Sequence, residues 1–227
     1  MSKLIQHMGE EWYDLLSPII KTDYFGKVGK AIQPMTFATK KIFPHYDDTF
    51  RAFRLTPPSK VKVVMIGLEP HGVQSDGLAF GSKNLLKVSP PMIKIFEEIE
   101  RDVYDGFKLD QDPDLTRWAE QGVFLINSAL TVEKKKPGSH LKMWDKFTRY
   151  AISRLSRDQA GVIYMLWGKN AKSYIPNIQQ ESNFILTAEH PLSEDWAGNK
   201  HFTKANEVLK EVAIGKDMDP GKYQIEW

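Results

Sequence analysis

Four short apolar runs each lead into a loop carrying a side chain that could do chemistry. The run Val61 to Ile66 opens into Gly67-Leu68-Glu69-Pro70-His71-Gly72, and Val123 to Ile126 opens into Asn127-Ser128-Ala129-Leu130-Thr131. Val162 to Leu166 leads to Trp167-Gly168-Lys169-Asn170-Ala171, and Phe184 to Leu186 leads to Thr187-Ala188-Glu189-His190-Pro191-Leu192-Ser193. Together the loops offer a carboxylate, an amide, a lysine and a histidine. With no cysteine in the chain, thiolate nucleophiles, disulfides and cysteine-based zinc sites are excluded. Glu69, His71 and His190 could in principle ligate a metal, but their spacing matches no zinc motif, so no metal is expected. No Gly-x-Gly-x-x-Gly opens a helix and no glycine-rich cradle precedes a lysine, which disfavours dinucleotide and nucleoside-triphosphate cofactors. No cofactor is expected.

These side chains act together only if the elements between them bring the loops to one place. Runs that are apolar on both faces and alternate with helical patterns point to an α/β fold with a buried, four-stranded, mostly parallel sheet flanked by helices. After Pro90-Pro91, the residues Ile93, Phe96, Ile99 and Val103 recur at helical spacing, and two prolines suit a helix start. Further helices are expected over Met143 to Leu155 and Phe202 to Val212. Right-handed crossovers place every strand's carboxyl end on one edge, where open sheets of this type bind ligands.

A length of 227 residues suits one well-buried domain, and no repeat, low-complexity tract or linker divides it, so residues 1–227 are read as a single domain. No apolar stretch approaches the roughly 20 residues of a membrane helix, and Met1 to Glu10 has no signal-type apolar core. A cytoplasmic protein without membrane contact is therefore expected. The formal charge of +2 is too small to identify a nucleic-acid binder. Lysines do cluster at Lys40-Lys41, at Lys134-Lys135-Lys136 and at Lys169 with Lys172, so a local basic face could exist without a basic total.

Read in order, the motifs resemble the family 1 uracil-DNA glycosylases. Gly67-Leu68-Glu69-Pro70-His71-Gly72, with Asp76-Gly77-Leu78-Ala79-Phe80 after it, is similar to that family's water-activating loop, Gly-Gln-Asp-Pro-Tyr-His-Gly followed by His-Gly-Leu-Cys-Phe-Ser. Pro90-Pro91-Met92 resembles its Pro-Pro-Ser loop. Gly122 to Val132 resembles Gly-Val-Leu-Leu-Leu-Asn-Ala-Val-Leu-Thr-Val, Leu166-Trp167-Gly168 its Leu-Leu-Trp-Gly stretch, and Thr187 to Ser193 a shortened His-Pro-Ser-Pro-Leu-Ser. The likeness runs from about residue 12 to 212. Residues 216–227 lie beyond it and receive no role.

The resemblance implies an enzyme of base-excision DNA repair that extrudes uracil from single- or double-stranded DNA and hydrolyses its N-glycosidic bond. It places Asn127 as reader of the base, since an amide can donate to O4 and accept from N3–H. Phe80 would stack on the base, with Leu68 and His71 beside it in the substrate pocket. His190 would stabilise the charge building on the departing base, and Glu69 would position the water and stabilise the cationic sugar. Leu192 would fill the emptied stack, while Ser193, Lys169, Pro90 and Pro91 would hold the DNA backbone. A monomer is expected, with room for a protein inhibitor or a replication partner.

Several residues depart from the family pattern. Glu69 stands where the family has Asp, one methylene longer. The first loop is two residues shorter, and the simplest alignment deletes the Tyr that keeps thymine out, unless His71 takes its space. Met92 and Lys169 replace two serines. Asp76 stands in place of a His; Asp76 and Glu189 are expected to be solvated acids. Two other readings remain open: a non-catalytic DNA- or partner-binding module on the same fold, and a glycosylase for a 5-substituted pyrimidine.

Overall fold

The computed structural model describes residues 3–83 and 88–227, so Met1 and Ser2 of the amino-terminal stretch considered above lie outside it. Four helices come first, α1 (Lys3–Met8), α2 (Glu10–Ile20), α3 (Asp23–Ala31) and α4 (Pro34–Lys40), followed by a short strand β1 (Ile42–Phe43) and helix α5 (Arg51–Leu55). The sheet region then comprises β2 (Val63–Gly67), α6 (Pro90–Val103), α7 (Thr116–Glu120), β3 (Val123–Asn127), β4 (Val132–Glu133), α8 (Leu141–Asp158), β5 (Ile163–Trp167), α9 (Gly168–Lys172) and β6 (Phe184–Ala188). Helices α10 (His201–Gly215) and α11 (Pro220–Tyr223) complete the chain.

The central sheet is four-stranded and parallel throughout, in the order β3-β2-β5-β6. β2, β3 and β5 are buried at every position, as strands covered on both faces must be. β3 and β6 are the two edges; β3 is nonetheless buried throughout, whereas β6 differs from the expectation of a buried strand, with its apolar Phe184 39% exposed. An apolar run of three residues carries no mark of how fully its two faces are covered.

The three expected helices are present. In α6 the prolines occupy the first turn, where two missing N–H groups cost nothing, and Met92, Ile95, Phe96 and Ile99 form the buried stripe. In α8 the stripe is Trp144, Phe147, Ala151, Ile152 and Leu155, and in α10 it is Phe202, Ala205, Leu209 and Ala213. No helix among the described residues is long and apolar enough to cross a membrane. Residues 216–227, which had no role in the sequence, seal the core. The Trp227 indole donates to the Phe202 carbonyl at 3.2 Å and packs edge-on against Trp118 and Phe202, while Tyr104 Oη donates to the Trp227 carbonyl at 2.9 Å.

A second, two-stranded antiparallel sheet joins β1 to β4, pairing Ile42 with Glu133 and Phe43 with Val132. Two-residue strands leave no periodic trace, and this pairing was not expected from the sequence. It ties the end of α4 to the loop between β3 and α8, with the Lys134 N–H donating to the Lys41 carbonyl at 3.0 Å.

Candidate active site

The register of the sheet determines the centre of the site. Gly67 pairs directly with Asn127 at the carboxyl ends of β2 and β3. The two loops beyond are stitched together, with Ser128 N–H donating to the Gly67 carbonyl at 2.9 Å and Ala129 N–H to the Leu68 carbonyl at 3.0 Å. Asn127 is only 5% exposed, yet among the described residues no group hydrogen-bonds its side-chain amide. The amide opens into the cleft rather than into the core, so its free donor and acceptor groups are presented to a ligand or to solvent. Its place is secured by the residue opposite, because a Cβ on Gly67 would sit 2.3 Å from Asn127 Oδ1. Gly67 is thus a site residue that motif reading passed over; its signal was a glycine closing an otherwise apolar strand.

Phe80 forms one wall. Its backbone has φ of 67°, a left-handed conformation that a bulky residue adopts only under constraint, and strain of this sort collects at functional sites. The constraint comes from Asp76. That carboxylate is buried, pairs with Arg51, and accepts the Leu78 N–H at 3.0 Å, while Arg51 also donates to Thr116 Oγ1 at 2.6 Å. Burial pushes the Asp76 carboxyl up, opposed by the Leu78 N–H and by Arg51. The expectation of a solvated Asp76 is therefore corrected: the acid is the peg around which the Phe80 loop folds. Behind Phe80 stands Trp167, 5.9 Å between ring centroids, with its indole N–H held at 2.9 Å by His201 Nδ1. Glu189, by contrast, is exposed and pairs with Lys172 at 2.5 Å.

His190 stands across the cleft. Its Nδ1 accepts the Leu192 N–H at 3.2 Å. A backbone N–H can only donate, so Nδ1 carries a lone pair and the ring proton resides on Nε2. Although the residue is exposed at the cleft, partial desolvation of its ring lowers the imidazole pKa and favours the same neutral form. The ring approaches closely because Gly168, at φ of 77°, has no side chain; a Cβ there would lie 3.1 Å from His190 Cβ. The rest of the loop turns outward. Pro191 is buried, Leu192 is 56% exposed, and Ser193 is half-buried with its N–H on the His190 carbonyl at 2.7 Å. Anchors from α6 hold this loop: Trp196 Nε1 donates to the Lys94 carbonyl at 3.1 Å, and Gly198 N–H donates to Glu98 at 2.8 Å.

Glu69 completes the set. It is half-buried, its Oε2 accepts the Gly138 N–H at 2.8 Å, and among the described residues its Oε1 has no partner. Glu69, Asn127, Phe80, His190, Leu68 and His71 all line one cleft of about 270 Å3, with Pro91 and Ser89 on its lip. His71 and Leu68 are exposed at its rim. Pro90 is exposed beside Pro91, and Lys169 is exposed in the first turn of α9. Met92 is fully buried and faces the core; the hydroxyl at this lip is that of Ser89, one residue before the proline pair. Sequence reasoning missed Ser89, although a serine ahead of Pro-Pro at a helix start was a usable signal. Among the described residues, no group of three His, Asp or Glu side chains could hold a metal ion.

Fold and cleft together define an α/β protein that can stack a planar ring on Phe80, read its polar edge with an amide, and hold developing negative charge with a neutral imidazole. A sequence model of the uracil DNA glycosylase superfamily matches residues 53–210. Uracil-DNA glycosylase of Aliivibrio fischeri is 37% identical over 216 residues, covering 92% of this chain and 96% of the relative. Uracil-DNA glycosylase 2 of Bacteroides fragilis is 37% identical over 225 residues, covering 96% and 97%. In three dimensions the chain is similar to mimivirus uracil-DNA glycosylase, with a TM-score of 0.82 at 23% identity, covering 95% of this chain and 86% of that one. Another mimivirus structure, in complex with UGI, superposes with a TM-score of 0.78 at 22% identity, covering 92% and 86%. The chain belongs to the uracil DNA glycosylase superfamily.

Proposed function

We propose that this protein is a monofunctional uracil-DNA glycosylase of base-excision repair. The observation that carries the reading is the unpartnered Asn127 amide, buried in the same cleft as the Phe80 ring and the Nε2–H of His190. An extruded uracil stacks on Phe80, donates N3–H to the Asn127 carbonyl and accepts at O4 from the amide NH2. The C1′–N1 bond breaks with its electrons going to the base, and His190 donates a hydrogen bond to the anion as it forms. Glu69 faces the cationic sugar and takes the proton of the water whose oxygen bonds to C1′. The products are free uracil and an abasic site. Gly138 is what makes the longer carboxylate workable: by fixing Oε2 it removes freedom that the extra methylene adds.

Leu192, protruding beside His190, is suited to enter the vacated stack, with Ser193, Lys169, Pro90 and Pro91 along the backbone. The protein acts as a cytoplasmic monomer without metal or cofactor, and the face around the cleft is open to a protein inhibitor, as the UGI-bound mimivirus protein illustrates for itself. A second reading, excision of a 5-substituted pyrimidine, is favoured by one feature: the side chain after Pro70 is an exposed His71 at the rim. A labelled oligonucleotide containing a single uracil, treated with the protein and then with hot alkali, is expected to break at that uracil. Absence of scission alongside cleavage by an authentic enzyme would overturn the proposal. Parallel release measurements on thymine and 5-hydroxymethyluracil decide the second reading.

A further inference from the structure

The lysine runs at 40–41 and 134–136 have no part in the site so far described, and they are far apart in sequence. The β1–β4 pairing brings them together, because the Lys134 N–H donates to the Lys41 carbonyl and Glu133 pairs with Ile42. All five lysines are exposed. Lys136 is engaged by Glu133 at 2.6 Å, whereas Lys40, Lys41, Lys134 and Lys135 have no ion-pair partner among the described residues. Positive charge is felt locally: the Lys136 hydrogen bond chiefly, and Lys40 in addition, hold the Glu133 carboxyl low, while burial and then Lys40 lower the His140 imidazole. A groove of about 310 Å3 lies beside the cleft; Lys134, Lys135 and Lys136 line it together with Glu133, and Glu69, Pro70 and His71 belong to both hollows. The turn is also mechanically joined to the chemistry, since its Gly138 N–H holds the Glu69 carboxylate.

We propose that the β1–β4 ribbon is a second DNA-backbone rail, on which Lys134 and Lys135, supported by Lys40 and Lys41, bind phosphates of the strand flanking the extruded nucleotide. The inference rests on the glycosylase reading and extends the DNA footprint to the side of the cleft away from Leu192 and Lys169. Glu69 also lines the groove and repels phosphate, and Glu133 is neutralised by Lys136, so the strand follows the exposed lysines rather than entering the groove.

The test compares wild type with Lys134→Ala/Lys135→Ala, Lys40→Ala/Lys41→Ala and, as a control, Lys210→Ala, an exposed site on α10. Binding to a fluorescent uracil-free single strand is followed by anisotropy across a salt series, and uracil release is measured separately at saturating enzyme. Each lost phosphate contact lowers the slope of log K against log salt by about 0.7 on single strands, so the Lys134/Lys135 pair is expected to lower it by about 1.4. The Lys40/Lys41 pair lowers it less, Lys210→Ala leaves it unchanged, and release at saturation is retained by all. Wild-type slope and affinity in both double variants would overturn the rail, as would an equal fall in Lys210→Ala. A wild-type protein that binds with the full slope but releases no uracil would instead sink the glycosylase reading and leave the rail standing.

Discussion

Replacing Gly67 by alanine tests the site with the smallest available perturbation. Gly67 ends β2 in ordinary strand backbone, so a Cβ introduces no φ strain and acts only by contact. That contact is severe, 2.3 Å to Asn127 Oδ1, with the Ala79 methyl also at 3.0 Å. To reach even a tight separation the amide must retreat by about 0.7 Å, and since the two strand ends are in register and tied by the Ser128 N–H, the side chain rather than the backbone yields. A misplacement of about 1 Å in a catalytic constellation costs roughly 10²-fold, so the single-turnover rate of uracil release should fall about 30- to 100-fold, or about 2–2.7 kcal/mol of barrier. The accompanying loss of stability should be about 1–3 kcal/mol, visible as a lower urea midpoint in a protein that still folds. Affinity for uracil-free DNA should be unchanged, because the cleft is unused there. A folded Gly67→Ala protein releasing uracil within about threefold of the wild-type rate would refute the reasoning that Gly67 holds the Asn127 amide in place.

Three other outcomes are expected. Asn127→Asp removes the donor that O4 requires, so uracil release should drop and cytosine release become detectable by chromatography of the freed bases; an unchanged base preference would remove Asn127 from recognition. Leu192→Ala should slow excision from duplex DNA by roughly 10- to 100-fold, the worth of one buried leucine, while single-stranded excision is nearly spared; equal losses on both would deny the wedge role. The histidines give two tests of acid, one on catalysis and one on stability. Because the His190 pKa is lowered from 6.5, catalysis needing its neutral ring should hold as pH falls to 6.5 and decline below it, and a decline centred above 6.5 would contradict the assignment. Burial lowers His201 to about 4, so its contribution to stability is full above 6.5 and lost as pH falls towards 4, of the order of 3 kcal/mol, a loss that His201→Asn should flatten in urea titrations.

The helical period of 3.6 and the uninterrupted apolar runs were enough to place β2, β3, β5 and the helices α6, α8 and α10, because burial on two faces or along one stripe leaves its record in consecutive residues. The chemistry-bearing loops followed at once, since parallel strands send all their carboxyl ends to one edge. What the chain order could not decide was anything resting on contacts between distant residues. Asp76 reads as a solvated loop acid until Arg51 is found beside it, and Met92 reads as a lip residue until α6 turns it into the core. The tautomer of His190, the grip of Gly138 on Glu69 and the union of two lysine runs through a two-residue strand pair are likewise tertiary. Local pattern dictates which face of an element is buried; only the packed structure determines which buried group meets which, because those meetings join parts of the chain that share no period.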